Sequence, residues 1–252
     1  MEILDPDTGL PVLLRSAHVL AGIAWIGLLY YFNLVQVPAF AAYGDEGKAR
    51  NISIDKVARR ALWWFRWAAV VTLVLGLLII GGTKDYMQDF MNAAGGDIGH
   101  DATIFVGMLL GITMAANVWM VIWKNQRTVL ANAVNVLGGG EADPAAAGAG
   151  RKALLASRQN FIFSFSMLWF MVASGHLYAA GVFNAESGKA WTFVIIAVVI
   201  GAILELNCLG KLGGTAATNK LLWPYESHKN AMITGGVLFV VLYVLSEILL
   251  KA

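Results

Sequence analysis

The sequence predicts an all-α integral membrane protein, a single bundle of about six transmembrane helices. Three observations predict it. Only 13% of the 252 residues are charged and 58% are hydrophobic, against about 25% charged in ordinary soluble domains. The missing charge is concentrated: apolar stretches of roughly 20 residues alternate with short charged segments, and that length spans roughly 30 Å of hydrocarbon at 1.5 Å per residue. Several stretches are apolar nearly all round, where a soluble surface helix would keep a polar face.

The spans are expected at 12–40, 61–82, 103–123, 159–183, 191–209 and 231–250. The start, MEILDPDTG, is acidic and lacks the basic opening of a cleaved signal peptide. The Gly- and Ala-rich segment 137–152 reads as a flexible linker. The stretch from Asn125 to Leu137 can prolong the third helix, and the polar segment 84–102 reads as an exposed loop.

Lys and Arg counts set the expected orientation. Lys48, Arg50, Lys56, Arg59 and Arg60 lie in one segment, Lys124, Arg127, Arg151, Lys152 and Arg158 in a second, and Lys211, Lys220 and Lys229 in a third. The other side holds Lys84, Lys189 and Lys251. Thirteen against three places both termini outside and the basic segments in the cytoplasm of a bacterial inner membrane. The basic residues flank spans and carry no recognition motif, so the expected partner is the lipid bilayer and no nucleic acid.

Gly107, Gly111 and Ala115 recur every four residues, which lets two helices approach closely in lipid. Trp63, Trp64, Trp67, Trp123, Trp191 and Trp223 fall near span ends, where indoles favour the interface. Trp25 and Trp169 lie deeper and are candidates to line a cofactor pocket. The single cysteine, Cys208, can make neither an internal disulfide nor a Cys-x-x-Cys-His haem attachment site, and reads as a small buried hydrophobe.

His100 and His228 fall in loops, but His18 and His176 fall inside the first and fourth spans. A histidine within a membrane span is costly and usually has a reason. Each lies about six or seven residues from the outer end of its helix, roughly 10 Å deep. Two imidazoles at one depth on antiparallel helices could ligate one haem iron from opposite faces, or each could simply bond a neighbouring helix. Ala17, Ala21 and Gly22 flank His18, and Ala173, Gly175, Ala179 and Ala180 flank His176, leaving room for a flat macrocycle. Arg15 stands three residues from His18 and could pair with a haem propionate. Trp25 continues that face inward.

A second polar group lies toward the inner ends: Asn33, Gln36, Arg66, Asn117, Asn125, Gln126, Arg127, Arg158, Gln159 and Asn160. It reads either as interhelical hydrogen bonding or as a polar cavity for a small anion. The substrate candidates within it are Asn117, Asn125, Gln126, Arg127, Gln159 and Asn160. Arg66 is expected to snorkel to the interface, and Glu205 to snorkel or pair with a basic loop residue.

Three segments carry a family resemblance: LLRSAHVLAGIAWIGLLYYFNL (13–34), GMLLGITMAANVWMVIWKNQRTV (107–129) and SRQNFIFSFSMLWFMVASGHLYAAG (157–181). They resemble the membrane domain of the bacterial membrane-bound urate oxidase (urate hydroxylase) family, over the first four helices and poorly over the last two. MAANV followed by NQR is the most specific part, and the first segment also resembles haem-binding membrane protoporphyrinogen oxidases. The resemblance implies an outer-side cytochrome c domain after the membrane domain, which these 252 residues do not contain. It also implies a His at Gln159, Thr-Leu-Pro at Ser164, Phe165 and Ser166, and an Asn at Gly175, so the chain departs from the pattern there.

The expected function is therefore a urate-oxidase-like membrane redox protein. It would hold haem b through His18 and His176, with Arg15 and Trp25 beside it, and pass electrons to a separate periplasmic cytochrome c. Two other readings are a non-catalytic subunit of a larger respiratory or oxidase complex and a small-anion transporter.

Overall fold

The structure, a computed structural model, describes residues 4–5, 8–82, 98–178 and 185–251. Among them, regular structure is entirely helical. Six helices are long and apolar enough to cross a membrane: α1 (Gly9–Ala42), α2 (Gly47–Gly81), α3 (Ile98–Leu137), α4 (Ala145–Leu177), α5 (Ser187–Cys208) and α6 (His228–Leu250). Most of the polar segment 84–102, Ala179 and Ala180, and the expected end of the fourth span lie outside the described residues.

The number and order of spans are as expected, but the first four are longer. They run 33 to 40 residues, while α5 and α6 have 22 and 23. Forty residues extend about 60 Å, roughly twice the hydrocarbon thickness. The extra length lies where α1 runs into α2 and α3 into α4, the end that carries the basic segments.

The expected flexible linker 137–152 is corrected by this geometry. α3 ends at Leu137 and α4 starts at Ala145, leaving a seven-residue turn, 138–144. Gly139 adopts φ +86°, which stops the helix at no steric cost. Asn135 Nδ2 then donates to Glu141 O at 2.7 Å, Asp143 N to Asn132 Oδ1 at 2.7 Å, and Ala145 N to Asp143 Oδ1 at 2.8 Å. Low complexity does not mean flexibility here, because the run at 145–149 is mostly alanine, the strongest helix former.

α4 is the central helix. Every residue from Arg158 to Ser164 is buried. It packs on α3 and α6, while α1 packs mainly on α2. Leu29, Met114, Phe161, Phe163 and Phe170 fill the core. The outward faces are apolar: Leu20 is 70% exposed, Trp64 63% and Ile248 66%. Amides lie inside instead, with Asn33, Asn117, Gln159 and Asn160 all buried. Apolar outside and amide inside is the pattern for a bundle solvated by lipid.

The small-residue stripe on α3 does face α4, and its tight point is Gly107. A Cβ there would stand 3.3 Å from Phe170 Cβ and 3.4 Å from Met171 N, whereas at Gly111 the nearest atoms are methionine side chains at 3.9 Å. Gly107→Leu is expected to cost about 2 kcal/mol by overpacking, lowering Tm in detergent by several degrees. Gly111→Ala should leave Tm unchanged or raise it.

The segment after α5 is clamped back onto α4. Arg151 meets Glu226 at Nη2–Oε1 2.5 Å and Nη1–Oε2 3.1 Å, and Arg158 Nη1 donates to the Tyr225 carbonyl. The Arg151 guanidinium holds the Glu226 carboxyl below its ordinary 4.5. A carboxylate depressed by folding contributes stability that is complete above its unfolded pKa and is lost as pH falls through the folded value. Amide exchange over 210–226, corrected for intrinsic rates, is therefore expected to accelerate below about pH 4. Glu226→Gln should remove that acid step.

Candidate functional site

His18 sits in the α1–α2 interface. Its Nδ1 lies 2.9 Å from Thr72 O. A carbonyl only accepts, so Nδ1 is the donor, and in the neutral ring Nε2 keeps its lone pair. Gly76, one turn beyond Thr72, makes room for the ring: a Cβ there would stand 3.2 Å from His18 Cε1. His176 lies in a π-helical turn, Ser174–Tyr178, at the end of α4. Its Nδ1 lies 3.0 Å from Val172 O in the preceding turn, and its ring is exposed. Both histidines thus turn Nδ1 to a backbone carbonyl and point Nε2 away from it, the arrangement in which a carbonyl orients a metal-ligating imidazole.

No hydrogen bond links the two rings among the described residues. His18 faces α2, while the turn holding His176 packs on α3 and α4. Arg15 is exposed. Trp25 is buried, and its Nε1 has no hydrogen-bond partner among the described residues. Trp169 Nε1 is likewise without one, its ring standing edge-on to Phe239 and Tyr243.

The amide group divides by location. Asn117 Nδ2 donates to Asn160 Oδ1 and to Glu205 Oε2, both at 3.0 Å, and Asn160 Nδ2 donates to Met114 O at 2.8 Å. These bonds tie α3, α4 and α5 together. Asn125 Nδ2 turns back on its own helix, to Val121 O at 2.8 Å. Arg127 is exposed. Gln159 is fully buried, and neither of its amide atoms has a hydrogen-bond partner among the described residues. Gln126 lines a cavity of about 770 Å³ between the basic ends of α1 to α4.

That cavity also takes in Gln36, Arg50, Asn51, Asn132, Arg151 and Ser157. Arg50, Asn51, Asn132 and Ser157 do not stand out in the sequence, because they fall in stretches that read as loop or helix extension. Three π-helical turns help shape its walls: Tyr31–Gln36, Ile54–Ala58 and Asn117–Trp123. A π turn inserts about one residue, so a 3.6-residue wheel drawn through it misplaces the side chains beyond the turn.

The Arg66 guanidinium carbon stands 3.6 Å from the ring centroid of Trp123, one of the indoles expected at a span end, a cation–π contact. One side chain departs from expectation. Glu205 bonds Asn117 rather than a basic loop residue.

Residues 97–209 match the family model described as urate oxidase N-terminal. The match covers less than half of the chain. It takes in all of α3, all of α5 and the described part of α4, and with them His176, Asn117, Asn125, Gln126, Arg127, Gln159, Asn160 and Glu205. It therefore includes α5, where the sequence resemblance is poor, and does not extend to Arg15, His18 or Trp25. No curated protein and no solved structure matches the chain.

Proposed function

We propose that this chain is a urate-oxidase-like redox protein of a bacterial inner membrane, which holds a b-type haem on His18 and His176. The observation that carries the reading is the shared geometry: each imidazole turns Nδ1 to a backbone carbonyl, which leaves Nε2 of the neutral ring as the nitrogen that could ligate iron. The family match supports it, because the matched stretch contains His176. A haem held there would supply one-electron storage between a donor and an outer-side cytochrome c. Thr72 and Val172 fix the two rings, Gly76 leaves space for one of them, and Arg15 would meet a propionate at the water-exposed end. The Lys and Arg asymmetry sets both termini outside, with the large cavity toward the cytoplasm.

The cavity supports a second reading. Gln36 lies 18 residues from His18 along α1, so the cavity and the histidines are about 27 Å apart. Amides and a hydroxyl beside Arg50 suit a flat monoanion rich in donors and acceptors, as urate is, and a small-anion transporter would use the same residues.

Anaerobic addition of urate to the purified oxidised protein separates the two readings. Urate yields two electrons and two protons, and each haem takes one electron. The redox reading expects haem reduction at one urate per two chains. Absence of reduction, with urate uptake into proteoliposomes that Gln126→Leu abolishes, would make the chain a transporter.

A further inference from the structure

Arg66 lies within the apolar run of α2, yet among the described residues no carboxylate pairs with it. Its guanidinium carbon stands 3.6 Å from the Trp123 ring centroid and 5.9 Å from that of Trp119. An indole face meets the charge but accepts none of the in-plane N–H groups. Nε is buried without a hydrogen-bond partner among the described residues. Nη1 and Nη2 have none there either, and on this half-buried residue they reach the surface. A guanidinium placed in this way still calls for an acceptor in its own plane.

Two contacts fix the register of α2 on α3: Trp119 Nε1 donates to Arg66 O at 3.3 Å, and Arg59 Nη2 to Leu130 O at 3.5 Å. Arg60 precedes Arg66 by six residues, and Arg127 follows Trp119 by eight, so both lie about 10 Å nearer the basic end than Arg66. Both are exposed, and neither pairs with a carboxylate among the described residues. Between these levels Trp63, Trp67 and Trp119 run from α2 to α3, with centroids 6.4 and 5.5 Å apart. Trp63 and Trp67 are 46% and 43% exposed on the outside of the bundle, whereas Leu62, Phe65, Ile122 and Gln126 of the same helices line the large cavity.

The position selects a lipid, because exposed indoles at a span end mark the headgroup level of a bilayer. The charge selects which lipid. Three guanidinium groups without a counter-ion repel the cationic end of a zwitterionic headgroup and favour one whose phosphate leaves it net negative. Long arginine side chains cover the 10 Å between the levels and keep their heads at the phosphate.

We propose that this face of α2 and α3 binds one anionic phospholipid of the phosphatidylglycerol class, its phosphate held by Arg66 with Arg60 and Arg127 beside it. The site lies apart from the cavity and does not depend on the haem reading.

The test is native mass spectrometry of the full chain in detergent with equimolar phosphatidylglycerol and phosphatidylcholine. One phosphatidylglycerol per chain is expected to be retained, with about tenfold preference over phosphatidylcholine. Arg66→Gln should bring that preference to about threefold or less. The double variant Arg60→Gln/Arg127→Gln should do the same, and it decides the matter if Arg66→Gln fails to fold, because both of its positions are exposed. Lys220→Gln, an exposed cation of another basic segment, should leave the preference unchanged. No preference in the parent chain, an equal loss in Lys220→Gln, or release of the lipid by millimolar inorganic phosphate would each overturn the proposal.

Discussion

His18→Ala and His176→Ala are each expected to abolish the low-spin b-haem spectrum, because six-coordinate iron needs both axial imidazoles. The geometry adds a variant that touches neither ligand. A Cβ at Gly76 would stand 3.2 Å from His18 Cε1, so Gly76→Leu should push the ring off the Thr72 carbonyl and degrade the same spectrum. Arg15→Ala should do much less, since an exposed ion pair with a propionate contributes about 1 kcal/mol or less. Visible spectra of the four purified variants test the order of effects. A normal spectrum in either histidine variant would show that the residue is not a ligand.

The second large effect is structural. A Cβ at Gly235 of α6 would meet the Phe165 ring of α4 at 3.0 Å, a tighter approach than most Cβ atoms make, while at the adjacent Gly236 nothing lies within 4 Å. Gly235→Leu must therefore separate α6 from the central helix or displace a ring that itself packs against Tyr30 and Phe161. We expect a loss of about 3 kcal/mol or more and a large fall in Tm. Gly236→Leu faces open space, gains helix propensity and should be neutral or slightly stabilising. Thermal unfolding of the two variants in one detergent measures the contrast. Equal Tm values would mean that α6 does not pack on α4 at this point.

The six helices were legible in the sequence because lipid demands runs of about 20 apolar residues, and such runs are hard to mistake. Their true lengths were legible only in part. The stretch to Leu137 reads as a prolongation of α3, but beyond the bilayer a helix needs no apolar run, so the early start of α4 at Ala145 carries no hydropathy signal. His18 and His176 were legible as costly intramembrane groups, but the carbonyls that orient their rings were not. Thr72 is 54 residues from His18, and nothing local announces the bond. The amide group was legible as a set of residues and not as a geometry. Asn117 and Asn160 meet Glu205 across three helices, Gln126 turns to the cavity, and Asn125 returns to its own backbone. The π turns explain part of this, since Asn117 opens one of them and the helical phase shifts immediately after it.

The most direct test of the haem reading is the reduced-minus-oxidised visible spectrum of the full chain, purified from membranes of a host that supplies haem. The account predicts sharp Soret and α bands of a low-spin b-type haem, and close to one haem per chain by extraction. A flat difference spectrum from a folded protein would contradict it, and would leave His18 and His176 as packing residues that bond the neighbouring backbone.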